Sequence, residues 1–141
     1  MTKLTRNQVL EIINDARGRG EKPGLFGPNL NETERRRIRF GGPSLGEAEN
    51  RRANLSGAEL FAMDLSGVDL HGVELIGADL SGTDLESADL RNADLRQANL
   101  KHANLKQTNL RGANLYGAKY DKATIWPMNF RPTEIGAVRD N

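Results

Sequence analysis

Residues 53–92 read ANLSG AELFA MDLSG VDLHG VELIG ADLSG TDLES ADLRN, and residues 93–127 continue ADLRQ ANLKH ANLKQ TNLRG ANLYG AKYDK ATIWP. These are fifteen consecutive five-residue units without a gap. Leucine holds the third position in thirteen successive units: Leu55, Leu60, Leu65, Leu70, Leu75, Leu80, Leu85, Leu90, Leu95, Leu100, Leu105, Leu110 and Leu115. Tyr120 and Ile125 extend the column. The first position is Ala in ten units and otherwise Met63, Val68, Val73, Thr83 or Thr108. The second is Asp, Asn or Glu in thirteen units, the exceptions being Lys119 and Thr124, and seven units end in Gly.

A period of five suits neither regular element. Five steps of about 100° on an α-helix turn the leucine by about 140° each time, which smears the column around the whole surface. Interior glycines at roughly 1 kcal/mol each argue further against a helix. On a flat strand an odd period sends successive leucines to opposite faces. All leucines stay on one side only if the chain turns a corner every five residues. Four corners close a square coil of twenty residues, and stacked coils bury one continuous column. The leucine fills the interior, and the small first-position residue lets the backbone approach the axis. Residues two apart point the same way in extended backbone, so both face inward. The other three positions are expected to face water, and they carry nearly all the charge. Each buried leucine stabilises by roughly 1.5–3 kcal/mol, so the column supplies a core without aromatics.

The tandem A(D/N)LXX unit resembles the pentapeptide-repeat family, over 75 of the 141 residues. That resemblance implies an all-β solenoid, a right-handed quadrilateral β-helix. Fifteen units at four per coil make about four coils, a rod on the order of 18 Å long at ~4.8 Å per coil.

The remaining composition bounds the rest. A chain of 141 residues allows one domain. With no cysteine there is no disulfide, thiolate metal site or thiol nucleophile. No apolar run approaches a membrane span, and the opening MTKLTRNQVLEII lacks a long apolar leader core, so a soluble cytoplasmic protein is expected.

A solenoid is weakest at its ends, where core leucines and backbone edges would be bare. Residues 1–20 answer this as a capping helix. Thr5 and Gln8 form a capping box, Leu4 and Val9 a staple, and Val9, Ile12, Ile13 and Ala16 follow helical spacing from about Asn7 to Arg17. Residues 21–52 contain one divergent repeat around Leu30 and an irregular excursion, residues 33–52, in which a degenerate coil is the alternative. Residues 128–141 form a tail that plugs the last coil, with Trp126, Met128, Phe130 and Ile135 as its apolar matter and Pro127 and Pro132 stopping strand pairing. The same cluster could serve a weak homodimer; otherwise the protein is a monomer.

Catalysis has little to stand on. His71 and His102 occupy different positions of the unit more than a coil apart, and the acids Glu59, Asp64, Asp69, Glu74, Asp79, Asp84, Asp89 and Asp94 read as a solvated face. A general acid–base pair needs a desolvated cleft, which a convex rod lacks. No catalytic residue, cofactor or metal ligand is expected.

The charge layout is uneven. Residues 53–90 carry eight acids and no Lys or Arg, whereas residues 91–122 carry seven bases and two acids. Arg91, Arg96, Lys101, Lys106 and Arg111 share the fourth position of consecutive units and form a belt around the rod. That belt is a candidate contact for an acidic protein partner. Its alternative is drift among solvent-facing positions. Arg35, Arg36, Arg37 and Arg39 are the densest basic run and the candidate nucleic-acid contact. Nearby glutamates and a net charge of +1 argue against that use.

The sequence therefore points to a non-enzymatic protein-interaction or scaffold module of unspecified partner. The family resemblance implies an alternative, a DNA-mimicking modulator of DNA gyrase or topoisomerase. That activity calls for a long acidic rod, and only residues 53–90 have the required sign.

Overall fold

In the computed structural model, residues 5–21 and 54–141 are described. Leu4, Ala53 and residues 22–52, including Arg35, Arg36, Arg37 and Arg39, lie outside them.

The chain coils with a register of twenty. Parallel bridges join each second-position residue to the one twenty residues on, from Asn54–Glu74 through Asn99–Lys119. Four sides result. Side A stacks Leu55, Leu75, Leu95 and Leu115; side B stacks Leu60, Leu80, Leu100 and Tyr120. Side C stacks Leu65, Leu85 and Leu105; side D stacks Leu70, Leu90 and Leu110. Twelve of the thirteen leucines are at most 1% exposed, and Leu110 is 8% exposed.

The backbone accounts for why the unit is five long. The third-position amide donates to the second-position carbonyl of the next coil, as Leu70 does to Asp89 at 2.8 Å. The fifth-position amide donates to the next coil's fourth carbonyl, as Gly72 does to Arg91 at 2.8 Å. The second-position amide reaches back to the previous coil, as Asp89 does to Val68 at 3.0 Å. The first-position amide closes the corner turn onto the preceding leucine carbonyl, as Val73 does to Leu70 at 3.2 Å. Only the fourth-position amide is left without a backbone partner.

Each corner places its fifth residue in the left-handed region. Seven are glycines with φ of 65 to 75°, and six are Ala62, Ser87, Asn92, Gln97, His102 and Gln107 with φ of 55 to 62°. That conformation costs an L-residue on the order of 1 kcal/mol, so glycine is the cheapest occupant. At Gly112 a second reason applies, because an added Cβ would meet the Asn92 side chain.

The N-terminal end is covered by α1 (Arg6–Gly18), which buries Val9, Ile13 and Ala16. Thr5 and Gln8 form its reciprocal capping box. Two arginines tie it to the first coil. The Arg6 guanidinium donates to the Glu59 and Phe61 carbonyls (3.1 and 2.8 Å) and lies 4.5 Å from the Phe61 ring centroid. Arg17 donates to the Ser66 carbonyl at 3.0 Å and pairs with Asp64 at 3.3 Å.

The C-terminal end departs from the sequence pattern. Ile125 does not continue the leucine column. It bridges Asn104, one residue beyond the twenty-residue register, and is 52% exposed. The slip puts Thr124 at the small inward position, where it is buried and its hydroxyl donates to the Leu100 carbonyl at 2.8 Å. Trp126 takes the place of the leucine. It packs edge-on to Tyr120 and stacks on Phe130, with centroids 5.3 and 5.2 Å apart. The extra residue is absorbed at Asp121, whose Oδ1 accepts the amides of His102, Ala123 and Thr124 at 3.1, 3.0 and 3.1 Å.

The prolines interrupt the pairing without ending it. After a 3₁₀ turn (Pro132–Ile135), β2 (Val138–Arg139) pairs in parallel with β1 (Lys119–Tyr120). Ala137 is buried beyond Ala118, so the tail adds part of another rung to side B.

Candidate functional site

The second-position side chains are structural before they are anything else. In eleven units the Oδ1 of Asp or Asn accepts the fourth-position amide at 3.0 to 3.2 Å, for example Asp84 from Glu86 and Asn109 from Arg111. This supplies the one partner the backbone cannot. Asp69, Asp79, Asp84, Asp89 and Asp94 are thus half-buried corner caps rather than a freely solvated face, and Asp64 is an exposed one. A signal was present: eleven of the thirteen acidic or amide residues are Asp or Asn, the two types whose side chain reaches the amide two residues on.

The belt of cations runs around all four sides, so no single face gathers it. Arg91 and Arg111 stack on side D, while Arg96 lies on A, Lys101 on B and Lys106 on C. Three of the five have acidic partners. Arg91 forks onto Asp89, with Nε–Oδ1 at 2.9 Å and the terminal nitrogen at 2.7 Å from Oδ2. Arg96 grips Asp94 in the same way at 2.9 and 2.7 Å. Lys101 meets Asp140 of the tail at 2.9 Å. The Arg91 hydrogen bond holds the Asp89 carboxyl below its ordinary value, and Lys101 does so for Asp140. Beyond residue 94 the second position becomes Asn, which keeps the corner cap but offers no charge. Lys106 and Arg111 therefore have no acidic partner among the described residues.

Two histidine clusters occur. Asp69, His71 and Asp89 on side D offer atoms within 4.8 Å of one another. His71 Nδ1 lies 2.5 Å from Asp69 Oδ1, and the Arg91 guanidinium already spans both Asp89 oxygens. On side B, His102 Nδ1 is 2.7 Å from Asp121 Oδ2. That pair secures the inserted corner. The departure of residues 118–123, AKYDKA, from the unit pattern was its only sequence signal.

Among the described residues the large apolar side chains left exposed, Phe61 apart, are concentrated at one end. Tyr116, Ile125, Met128, Ile135 and Val138 are 67, 52, 91, 41 and 51% exposed. No helix of the described residues is long and apolar enough to cross a membrane.

The comparisons agree with this architecture. A family described as pentapeptide repeats (8 copies) matches residues 53–92 and 88–119. The crystal structure of alr5209, a pentapeptide repeat protein from Nostoc Pcc 7120, is 32% identical over 94% of this chain and 95% of its own, with a TM-score of 0.64. Rfr23, a pentapeptide repeat protein from the cyanobacterium Cyanothece 51142, is 40% identical over 53% of this chain and 61% of its own, at 0.36. A pentapeptide repeat protein of the Arabidopsis thaliana thylakoid lumen is 37% identical over 52% and 55%, at 0.32. Among curated proteins, none matches.

Proposed function

This chain belongs to the pentapeptide-repeat family, whose fold is the right-handed quadrilateral β-helix, and from that premise we propose that it is a non-enzymatic protein-interaction module acting in the cytoplasm. The observation that carries the reading is how the side chains are employed. The inward positions fill the column, the second position caps the corners, and the first cations of the belt are spent on local acids. Among the described residues, what is left for a partner is concentrated at the C-terminal end: most of the exposed apolar residues, Lys106 and Arg111.

A DNA-mimicking modulator of gyrase or topoisomerase is the second reading. It draws on the acids between Asn54 and Leu90, which no Lys or Arg of that stretch offsets. Against it, Asp64 is held by Arg17, and the acidic stretch covers about two coils.

The test is affinity capture from lysate of the source organism, at low and high salt, with and without nuclease. The interaction reading expects a specific protein that survives nuclease. Capture of nothing specific, or of proteins lost with the nucleic acid, would contradict it. Gyrase or topoisomerase among the captured proteins, with inhibited supercoiling, would favour the second reading.

A further inference from the structure

Among the described residues the last rung of the solenoid is partial on sides A, B and C and missing on side D. Ile125 covers side C, where the Leu105 amide donates to its carbonyl at 2.7 Å. Gly136 accepts the Gly117 amide at 2.8 Å at the corner leaving side A, and Val138 and Asp140 donate to side B at 2.7 Å. On side D the tail turns away. Pro127 has no amide hydrogen, and Phe130 closes a turn onto the Pro127 carbonyl at 3.1 Å.

That departure leaves a defined set of backbone groups. One coil below, Leu90 and Asn92 donate to the Asn109 and Arg111 carbonyls at 2.9 and 3.0 Å. One coil on, the Leu110 and Gly112 amides have no acceptor and the Thr108 carbonyl no donor among the described residues. Leu110 is the least covered leucine of the column. It floors a groove of about 230 Å³ that Phe130 and Met128 wall. Arg111 lines the same groove, and its guanidinium has no partner among the described residues, because Asn109 stands where Asp89 serves Arg91 one coil below.

We propose that this edge of side D docks an extended segment of a partner protein, which adds itself as the missing parallel rung. An unpaired edge selects extended backbone by its alternating donors and acceptor. The residue above Leu110 would be large and apolar, and the next one, above Arg111, acidic, since a guanidinium forks onto a carboxylate. The recognition element is thus an apolar–acidic pair in an extended strand. This inference rests on the protein-interaction reading and names its site and the chemistry of its partner.

One unit of the chain itself carries that pair, Leu85–Glu86, and supplies a probe: the end-blocked peptide GTDLESAD of residues 82–89. Titrated into the ¹⁵N-labelled full chain, it should shift the Leu110 and Gly112 amide signals saturably at roughly millimolar concentration. R111E, which changes an exposed side chain, should weaken this by about five-fold. The peptide with Lys in place of Glu86 should recover the loss on R111E. Shifts that are absent at millimolar peptide, or spread evenly over the four sides, would overturn the proposal. So would R111E binding both peptides alike. Broadening of the same amides with protein concentration alone would assign the edge to a second copy and overturn it as well. If proteins captured by the wild-type chain bind R111E equally, this site is wrong while the interaction reading stands. If the wild-type chain captures none, the interaction reading itself falls.

Discussion

Leu105 and Ile125 hold the same place in the sequence repeat and opposite places in the molecule. Leu105 is fully buried, while Ile125 is 52% exposed because one extra residue at the Asp121 corner has shifted the register. The regular coils and the last turn thus follow different rules. In the coils, the twenty-residue register pairs the amides automatically, provided each corner has its Asp or Asn. In the last turn, side chains do that work: the Asp121 carboxylate, the Thr124 hydroxyl and the stacked Tyr120, Trp126 and Phe130. A repeat stabilises itself through its period, and its end needs a separate device.

The sharpest break of that comparison is a pair of truncations. Leu105→Ala should cost about 2–5 kcal/mol in chemical denaturation, the range for an emptied core site. Ile125→Ala should stay within about 0.5 kcal/mol, as surface changes do. Equal losses would restore Ile125 to the column and remove the slip.

Asp121 comes next. Burial pushes its carboxyl up, but the His102 and Ala123 amides, the His102 ring and the Thr124 hydroxyl together leave it below its ordinary 3.8. A carboxyl lowered in the folded state contributes stability above the ordinary carboxylate range, and that stability is lost as pH falls through the folded value. Asp121→Ala should therefore lower the melting temperature at pH 7. Asp121→Asn should flatten the fall in melting temperature below pH ~4. An unchanged acid limb would remove Asp121 from the account of the corner.

The corner caps give a smaller and more discriminating effect. Asp84→Asn keeps the oxygen that accepts the Glu86 amide and should change stability by less than about 0.5 kcal/mol. Asp84→Ala removes it and should cost about 1 kcal/mol. If the two variants are equal, charge matters there and the cap does not. Smallest of all, Lys106→Glu, at an exposed side chain without an acidic partner among the described residues, should leave the melting temperature within experimental error. A clear loss would make the belt structural.

Most of the coil was legible because its causes are local and periodic. Glycine at the corner, a small residue beside the axis and leucine inside each leave a mark every five residues. The caps left a mark too, the near-exclusive Asp and Asn, but it reads as surface charge until the fourth amide is seen to lack a partner. The slip at Asp121 was not legible. It occurs once, and Ile125 happens to stand where a repeat leucine would. The belt was visible as charge, but its neutralisation by Asp89, Asp94 and Asp140 depends on side-chain reach and, for Asp140, on where the tail returns. The open edge on side D was hidden for the same reason, since it exists only because the tail bends away at Pro127.

The central claim is that the register carries every side to the last coil and that side D alone then gains no ladder bond from the tail. Amide hydrogen exchange, resolved by NMR, tests it with two residues of one column, Leu90 and Leu110. The Leu90 amide, bonded to Asn109, should exchange orders of magnitude more slowly than the Leu110 amide, which has no acceptor among the described residues. Equal protection of the two would mean that a further rung covers side D, and it would contradict both the fold's end and the docking edge.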